Sequence, residues 1–407
     1  IDGRVAVQAS IMFGDDEVIE NVAIGDSAME YTFATIPLFT FMGLIVSKAG
    51  LGADIYAVMN QGFRRITGGI GMATVGANAV FAAVTGSSIA SAMIYTKMSV
   101  PEMLNFDYNP RFAVGVVAGS SVLGMIIPPS AMLIIYSFVA EQSVGEMFLA
   151  GVVPGLMLAA AYVAAIWLMA RLTPGFVGGR EVEAATLMPC SEIAVKLGPI
   201  AGLILVVLGG IYTGFFTPTE AAIVAIAYTL FVGVVIYREL TWKSLFQSLE
   251  ATTWLTGRVL LILFTATVFG RLLVENQIPA MIAESMLDLT SNIYVFWALI
   301  IFFLLFVGMF METLATILIL VPVMLPVAYS VGIDPIHFGV VMVCALGIGF
   351  QTPPLGENLF IASGISNISI EEISLRALPF AAINTITIFI IAFVPELSLW
   401  LPRLLGY

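Results

Sequence analysis

Apolar stretches of membrane-spanning length recur from about residue 31 to the end of the chain. That recurrence leaves few folds open. In hydrocarbon every backbone N–H and C=O must find its partner inside the protein, so the repeated segments have to be helices of roughly 20 residues each. Only 10% of the 407 residues are charged and 60% are hydrophobic, whereas a soluble domain carries about 25% charged residues. Lipid must therefore solvate much of the surface, and the 37 glycines suit close helix packing and broken helices. The net charge of −12 is concentrated rather than spread. Asp2, Asp15, Asp16, Glu17, Glu20, Asp26 and Glu30 precede the first span against Arg4, so residues 1–30 read as an acidic periplasmic-side segment that binds neither nucleic acid nor anionic lipid. Cys190 and Cys344 are far apart and His337 is the sole histidine, which argues against a disulfide framework, zinc or haem.

Spans are expected near 31–50, 112–139, 148–170, 198–216, 219–237, 254–273, 336–365 and 377–401. Two further apolar stretches, 69–100 and 294–329, are interrupted near their middles and read either as paired spans or as re-entrant hairpins. Charge placement favours hairpins. Arg64, Arg65, Arg111, Arg171, Arg180, Lys196, Arg238 and Lys243 mark cytoplasmic connections. Acidic connections holding Glu141, Glu146, Glu284, Asp288 and Asp334 suit the outside. The first hairpin then opens to the cytoplasm and the second to the opposite side.

Sliding the chain by 225 residues aligns 81–154 with 306–379 without a gap. Pro101, Pro110, Pro128, Pro129 and Pro154 then meet Pro326, Pro335, Pro353, Pro354 and Pro379. Two copies with opposite expected orientation make an inverted repeat, an architecture whose broken helices meet near mid-membrane. The expected organisation is an all-α polytopic protein: a first repeat over 31–172, a cytoplasmic connection over 173–197 and a second repeat over 198–407.

Four interruptions carry the chemistry: Thr85-Gly86-Ser87-Ser88, Ile127-Pro128-Pro129-Ser130, Met311-Glu312-Thr313 and Gln351-Thr352-Pro353-Pro354-Leu355-Gly356. Consecutive prolines break a helix because each lacks an N–H and clashes with the turn before it. The freed carbonyls and the neighbouring hydroxyls are hard oxygen ligands for a small cation such as Na⁺, with Ser87, Ser88 and Thr352 the expected hydroxyl donors. The new half-helix N-termini favour an anionic group opposite. Each interruption alone is equally a packing kink or a small-residue face; two matched pairs favour a site.

Glu312 is an acid inside an apolar segment, which points to function or to a wet hairpin tip. Glu357 is similar and has Arg258 or Arg271 as candidate partners. Glu220 in Thr217-Pro218-Thr219-Glu220 reads as a helix cap, and Asn78 more as a helix–helix hydrogen bond than as a ligand. Trp167, Trp242, Trp254, Trp297 and Trp400 suit an interfacial belt, and residues 238–250 an amphipathic surface helix.

At these residues a resemblance emerges. FAAVTGSSIASA from Phe81, IIPPS from Ile126, FFTPTEAA from Phe215, GIDPIHFG from Gly332 and TPPLGENLFIASG from Thr352 resemble the large M (DctM-like) subunit of tripartite ATP-independent periplasmic (TRAP) transporters. The resemblance implies a multi-pass protein of the bacterial inner membrane that imports a carboxylate such as a C4-dicarboxylate or sialic acid. It implies symport with Na⁺ by an elevator movement of a transport domain against a scaffold. The implied partners are a small Q-type membrane subunit and a periplasmic substrate-binding protein, with no organic cofactor. By motif the implied ion and substrate residues are Gly86, Ser87, Ser88, Pro128 and Ser130, then Glu312, Thr313, Gly349, Thr352, Pro353 and Gly356. The chain departs from the family pattern at Glu312, where many members carry Asp, and at Glu357, where a neutral residue is expected.

The alternative within transport is a standalone anion symporter or ion antiporter of similar inverted-repeat build, needing no binding protein. A membrane enzyme is not expected, because HExxH is absent and no second acid pairs with Glu312 in sequence.

Overall fold

The computed structural model describes residues 31–63, 65–179, 188–278, 281 and 292–406. Residues 1–30, Arg64, Arg180, Glu284, Asp288 and the side chain of Arg271, all named above, lie outside what is described. Apart from an isolated bridge between Tyr108 and Gly178, the regular structure among the described residues is helical.

Helix α1 (Thr35–Lys48) turns by 66° into α2 (Leu51–Phe63). Next come α3 (Gly69–Thr85) and α4 (Ser88–Asn105), separated by Gly86 and Ser87. Then α5 (Pro110–Ser120), the single turn α6 (Leu123–Ile126) and α7 (Ala131–Val139) run in sequence across the Pro128-Pro129 break. Helix α8 is Val144–Leu172. After the connection come α9 (Cys190–Tyr212), α10 (Pro218–Ile236) and α11 (Trp242–Glu275). The C-terminal part holds α12 (Ile293–Phe310), α13 (Thr313–Ser330), α14 (Pro335–Gly349), α15 (Glu357–Ser366), α16 (Ile370–Phe393) and α17 (Glu396–Leu404). Among the described residues seven helices are long and apolar enough to cross a membrane, or up to nine if each bent pair is one span.

Helix ends follow local chemistry. Thr217 and Glu220 form the expected reciprocal cap at the start of α10: the Thr217 N–H donates to Glu220 Oε2 at 2.9 Å, and the Glu220 N–H donates to Thr217 Oγ1 at 3.3 Å. Thr217→Ala should lower stability by about 1 kcal/mol, read as a reduced melting temperature of the purified protein with uptake retained. Asp334 and Asn109 cap α14 and α5, each with proline at the first helical position.

Burial separates inner from outer helices. In α5 every residue from Phe112 to Ser120 is buried, as is every residue from Ile336 to Gly349 in α14. Helix α16 packs on α5 and α12 packs on α14, so the two broken helices lie inside the bundle. Helices α9 and α11 instead expose Val195, Leu205, Phe246 and Leu261, the apolar surface that a bilayer covers.

Several expectations change. Helix α2 has no counterpart among the expected spans; its apolar character is diluted by Asp54, Asn60 and Gln61. The expected surface helix over 238–250 is not separate, since its residues from Trp242 onward continue into the 34-residue α11. The span expected over 377–401 divides at Val394-Pro395 into α16 and α17. Trp297 leaves the interfacial belt: it is 2% exposed and packs against His337 and Phe338. Its aromatic surface is matched by protein instead of headgroups. Trp167, Trp242, Trp254 and Trp400 are exposed.

Candidate functional site

The four interruptions fall where the sequence places them, and their boundaries keep the 225-residue spacing. Thr85 and Phe310 end one helix each, Ser88 and Thr313 begin the next, and Asn105 and Ser330 end those. Pro128-Pro129 and Pro353-Pro354 are both cis.

The first cluster joins the α3–α4 tip to the α6–α7 break. Gly86 adopts φ +61°, and a Cβ there would run into the Pro129 carbonyl. The Ala131 N–H approaches Gly86 O at 3.5 Å. A Cβ on Gly124 would lie 2.7 Å from the Ser87 carbonyl carbon and from Ser88 N, so the broken helix presses directly on the tip. Ser87 caps α4 by accepting from Ala90 N–H at 3.2 Å. Ser130 caps α7 by accepting from Leu133 N–H at 3.4 Å, while its hydroxyl donates to Met125 O. A hydroxyl oxygen used this way retains acceptor capacity. Gly86, Ser87, Ser88, Pro128 and Ser130 are thus gathered within one junction.

The second cluster joins the α12–α13 tip to the α14–α15 break. Gly349 crosses α12 at Gly308, where a Cβ would overlap the Gly308 carbonyl and lie 2.5 Å from its carbon. The Leu355 N–H donates to Met309 O at 3.1 Å, and the Asn358 N–H closes the loop by donating to Phe350 O at 3.0 Å. Gly356 reverses the chain at φ +40°. Thr352 Oγ1 donates to Ile348 O at 2.6 Å, which leaves both of its lone pairs available. Glu312 precedes α13, and its backbone carbonyl takes the Thr316 hydroxyl at 2.9 Å.

Two features bear on whether a small cation fits. The donors on offer are hydroxyls and carbonyls at helix breaks. Thr313 Oγ1 is buried with no hydrogen-bond partner among the described residues, a state that costs about 1–3 kcal/mol unless something satisfies it. Both suit a hard cation with oxygen ligands.

Partners outside the interruptions complete the picture. Arg258 on α11 approaches Glu312, with Nη1 to Oε1 at 3.9 Å and side chains 57% and 31% exposed. Of the two arginines offered in sequence to Glu357, Arg258 makes its ion pair with Glu312, and the side chain of Arg271 lies outside what is described. Asn78 donates to Ser120 Oγ at 2.7 Å, the helix–helix bond expected of it. Asn358 was missed. Fully buried at the start of α15, it donates through Nδ2 to Ser88 Oγ at 2.7 Å and accepts the Ser88 hydroxyl at Oδ1 at 3.1 Å. The one available signal was an amide just after the break and before an apolar run.

Comparison with known proteins bears on this arrangement. The family model for the DctM component of tripartite ATP-independent periplasmic transporters matches residues 5–397. The chain is 34% identical to the C4-dicarboxylate TRAP transporter large permease protein of Pseudomonas aeruginosa, over 97% of this chain and 92% of that one. It is 34% identical to the sialic acid large permease protein of Vibrio cholerae, over 93% and 88%. It is also 34% identical to the isethionate permease protein DctMQ of Oleidesulfovibrio alaskensis, where 91% of this chain spans only 58% of that protein. The crystal structure of the Alcanivorax borkumensis YdaH transporter superposes with a TM-score of 0.67 at 14% identity, covering 96% of this chain and 90% of that one. That likeness is one of fold.

Proposed function

We propose, from the premise that this chain belongs to the DctM component family of tripartite ATP-independent periplasmic transporters, that it imports a small organic acid anion by cation-coupled movement of its broken-helix core. The protein is a multi-pass protein of the bacterial inner membrane, and its relatives are transporter permease subunits rather than enzymes. The relatives are named for C4-dicarboxylate, sialic acid and isethionate. Isethionate carries a sulfonate in place of a carboxylate, so the cargo class is the organic anion and not the carboxylate alone.

The observation that carries the reading is the pairing of each tip with its own break: Gly86 and Ser87 with Pro129 and Gly124, and Gly308 and Met309 with Gly349 and Leu355. Helix boundaries recurring 225 residues apart support an internal repeat, with 31–172 and 198–407 as the two units, and the opposite charge flanks of the two tips favour its inversion. Na⁺ is the coupling ion in this reading. It and its cargo would be held by oxygens at Gly86, Ser87, Ser88, Pro128 and Ser130, and at Glu312, Thr313, Gly349, Thr352, Pro353 and Gly356. When bound it offsets the charge of the anionic cargo. The protein's own part is to keep these groups preorganised in a half-buried junction, so that little ordering is needed when a ligand arrives. The tips and breaks would move together as the transport domain, against a scaffold that includes α1, α10 and α11. A substrate-binding protein and a small membrane subunit are the partners the family implies, the latter separate or fused.

Membrane vesicles given an inward Na⁺ gradient test the reading. Uptake of a C4-dicarboxylate or sialic acid should require both Na⁺ and the cognate binding protein. Uptake by the reconstituted chain alone would favour the standalone alternative, and uptake indifferent to Na⁺ would defeat the coupling. Glu312→Gln should abolish uptake while changing stability by less than about 1 kcal/mol, because the Arg258 pair is half-exposed and long. Retained Na⁺-dependent uptake in that variant would remove Glu312 from the site.

A further inference from the structure

The two tip–break clusters are not independent: besides helix packing, the side chain of Asn358 links them by hydrogen bonds. Ser88 belongs to the first cluster, where Gly124 abuts its backbone nitrogen. Asn358 belongs to the second, where its N–H donates to Phe350 O and spans the Gln351–Glu357 loop. Their side chains meet at 2.7 and 3.1 Å although 270 residues separate them. Asn358 Nδ2 also reaches the Ala118 carbonyl on α5 at 3.4 Å. Asn358 is 0% exposed and Ser88 4%, so no water competes for these bonds, and breaking them leaves a buried amide or hydroxyl unpaired. The link is also asymmetric. The position 225 residues before Asn358 is Leu133, which cannot make the reciprocal bond.

We propose that Asn358 is the positioning residue that couples the two cation sites: its backbone fastens one break while its amide holds the serine of the other tip. Ordering the Gln351–Glu357 loop around a cation fixes Asn358, which fixes Ser88 in the orientation the first site needs. Occupancy of either site therefore raises the affinity of the other, as linkage requires. Asn358 itself need not touch an ion. This deepens the cation-coupled reading given above and rests on it.

The test is Na⁺ titration of the purified membrane protein, with choline replacing Na⁺ to hold ionic strength, read as the rise in melting temperature. The parent should respond cooperatively. Asn358→Ala should respond hyperbolically, with the midpoint moved to about tenfold higher Na⁺. Ser88→Ala combined with Asn358→Ala should move the midpoint by less than the two single shifts added, because the pair shares one link and only Ser88→Ala also removes a cation ligand. Ser88→Thr, which keeps the hydroxyl, should restore cooperativity. Should Asn358→Ala fail to fold, Asn358→Leu carries the same test, since it removes the amide at similar size and adds no charge. A cooperative parent with an unchanged curve in the Asn358 variants would overturn the coupling alone. A parent with no Na⁺ response would overturn the cation reading and this inference with it.

Discussion

Gly349→Ala is expected to abolish uptake and to destabilise the protein by about 3 kcal/mol, near the upper end for overpacking a tight interior. The added methyl would occupy the space of the Gly308 carbonyl on α12. Backbone cannot swing aside as a long side chain can, so α12 and α14 would have to separate. That separation breaks the seat of the second tip, because the Leu355 N–H reaches Met309 O only while the helices touch. Gly364→Ala is the control: it lies in α15 with open space around it and should be neutral or slightly stabilising. Melting of the two purified variants beside their uptake is the measurement. A Gly349→Ala protein that melts like its parent and transports normally would mean the crossing is looser than described.

Gly86→Val should cost about as much, by a different route. A β-branched residue at φ +61° is strained by about 1–2 kcal/mol, and its Cβ also collides with the Pro129 carbonyl. The first tip should lift off the α6–α7 break, ending uptake and lowering the melting temperature together. The repeat-related position, Met311, sits instead in extended backbone at φ −120°. Met311→Val should therefore be mild, since extended backbone accepts a β-branched residue. A Gly86→Val protein no worse than Met311→Val would show that the left-handed turn is not what shapes the first tip.

Much of the site was readable because helix breaks are local events. Consecutive prolines break the helix where they stand, a glycine before two serines offers a turn and a cap, and an acid within an apolar run is costly in hydrocarbon and so marks a wet tip. The tips at Gly86-Ser87 and Met311-Glu312 and the breaks at Pro128-Pro129 and Pro353-Pro354 follow from those residues. Which tip meets which break was not legible in the sequence, and the close approaches at Gly124 and Gly349 supply those contacts. The partners of Asn358, Gly308 and Arg258 left no such trace. Each depends on a neighbour more than 40 residues away, and spacing along one chain does not encode who lies opposite.

What the sequence by itself determined is the solvent and part of the punctuation: a chain this apolar has to be helical in lipid, and its two Pro-Pro pairs mark two of the breaks, whereas single prolines such as Pro101, Pro154 and Pro379 lie inside helices. Only the tertiary structure decided which apolar faces meet protein and which meet the bilayer. An apolar side chain serves either, so Trp297 is buried while Trp254 is exposed, and the strongly apolar α12 exposes Phe302 and Phe306 where α14 buries Phe338. The tertiary structure also decided that α1 turns sharply into α2 and that α11 runs on without a break. Packing sets such angles and continuities, and in lipid packing depends on shape at the contact rather than on a preference any single residue carries.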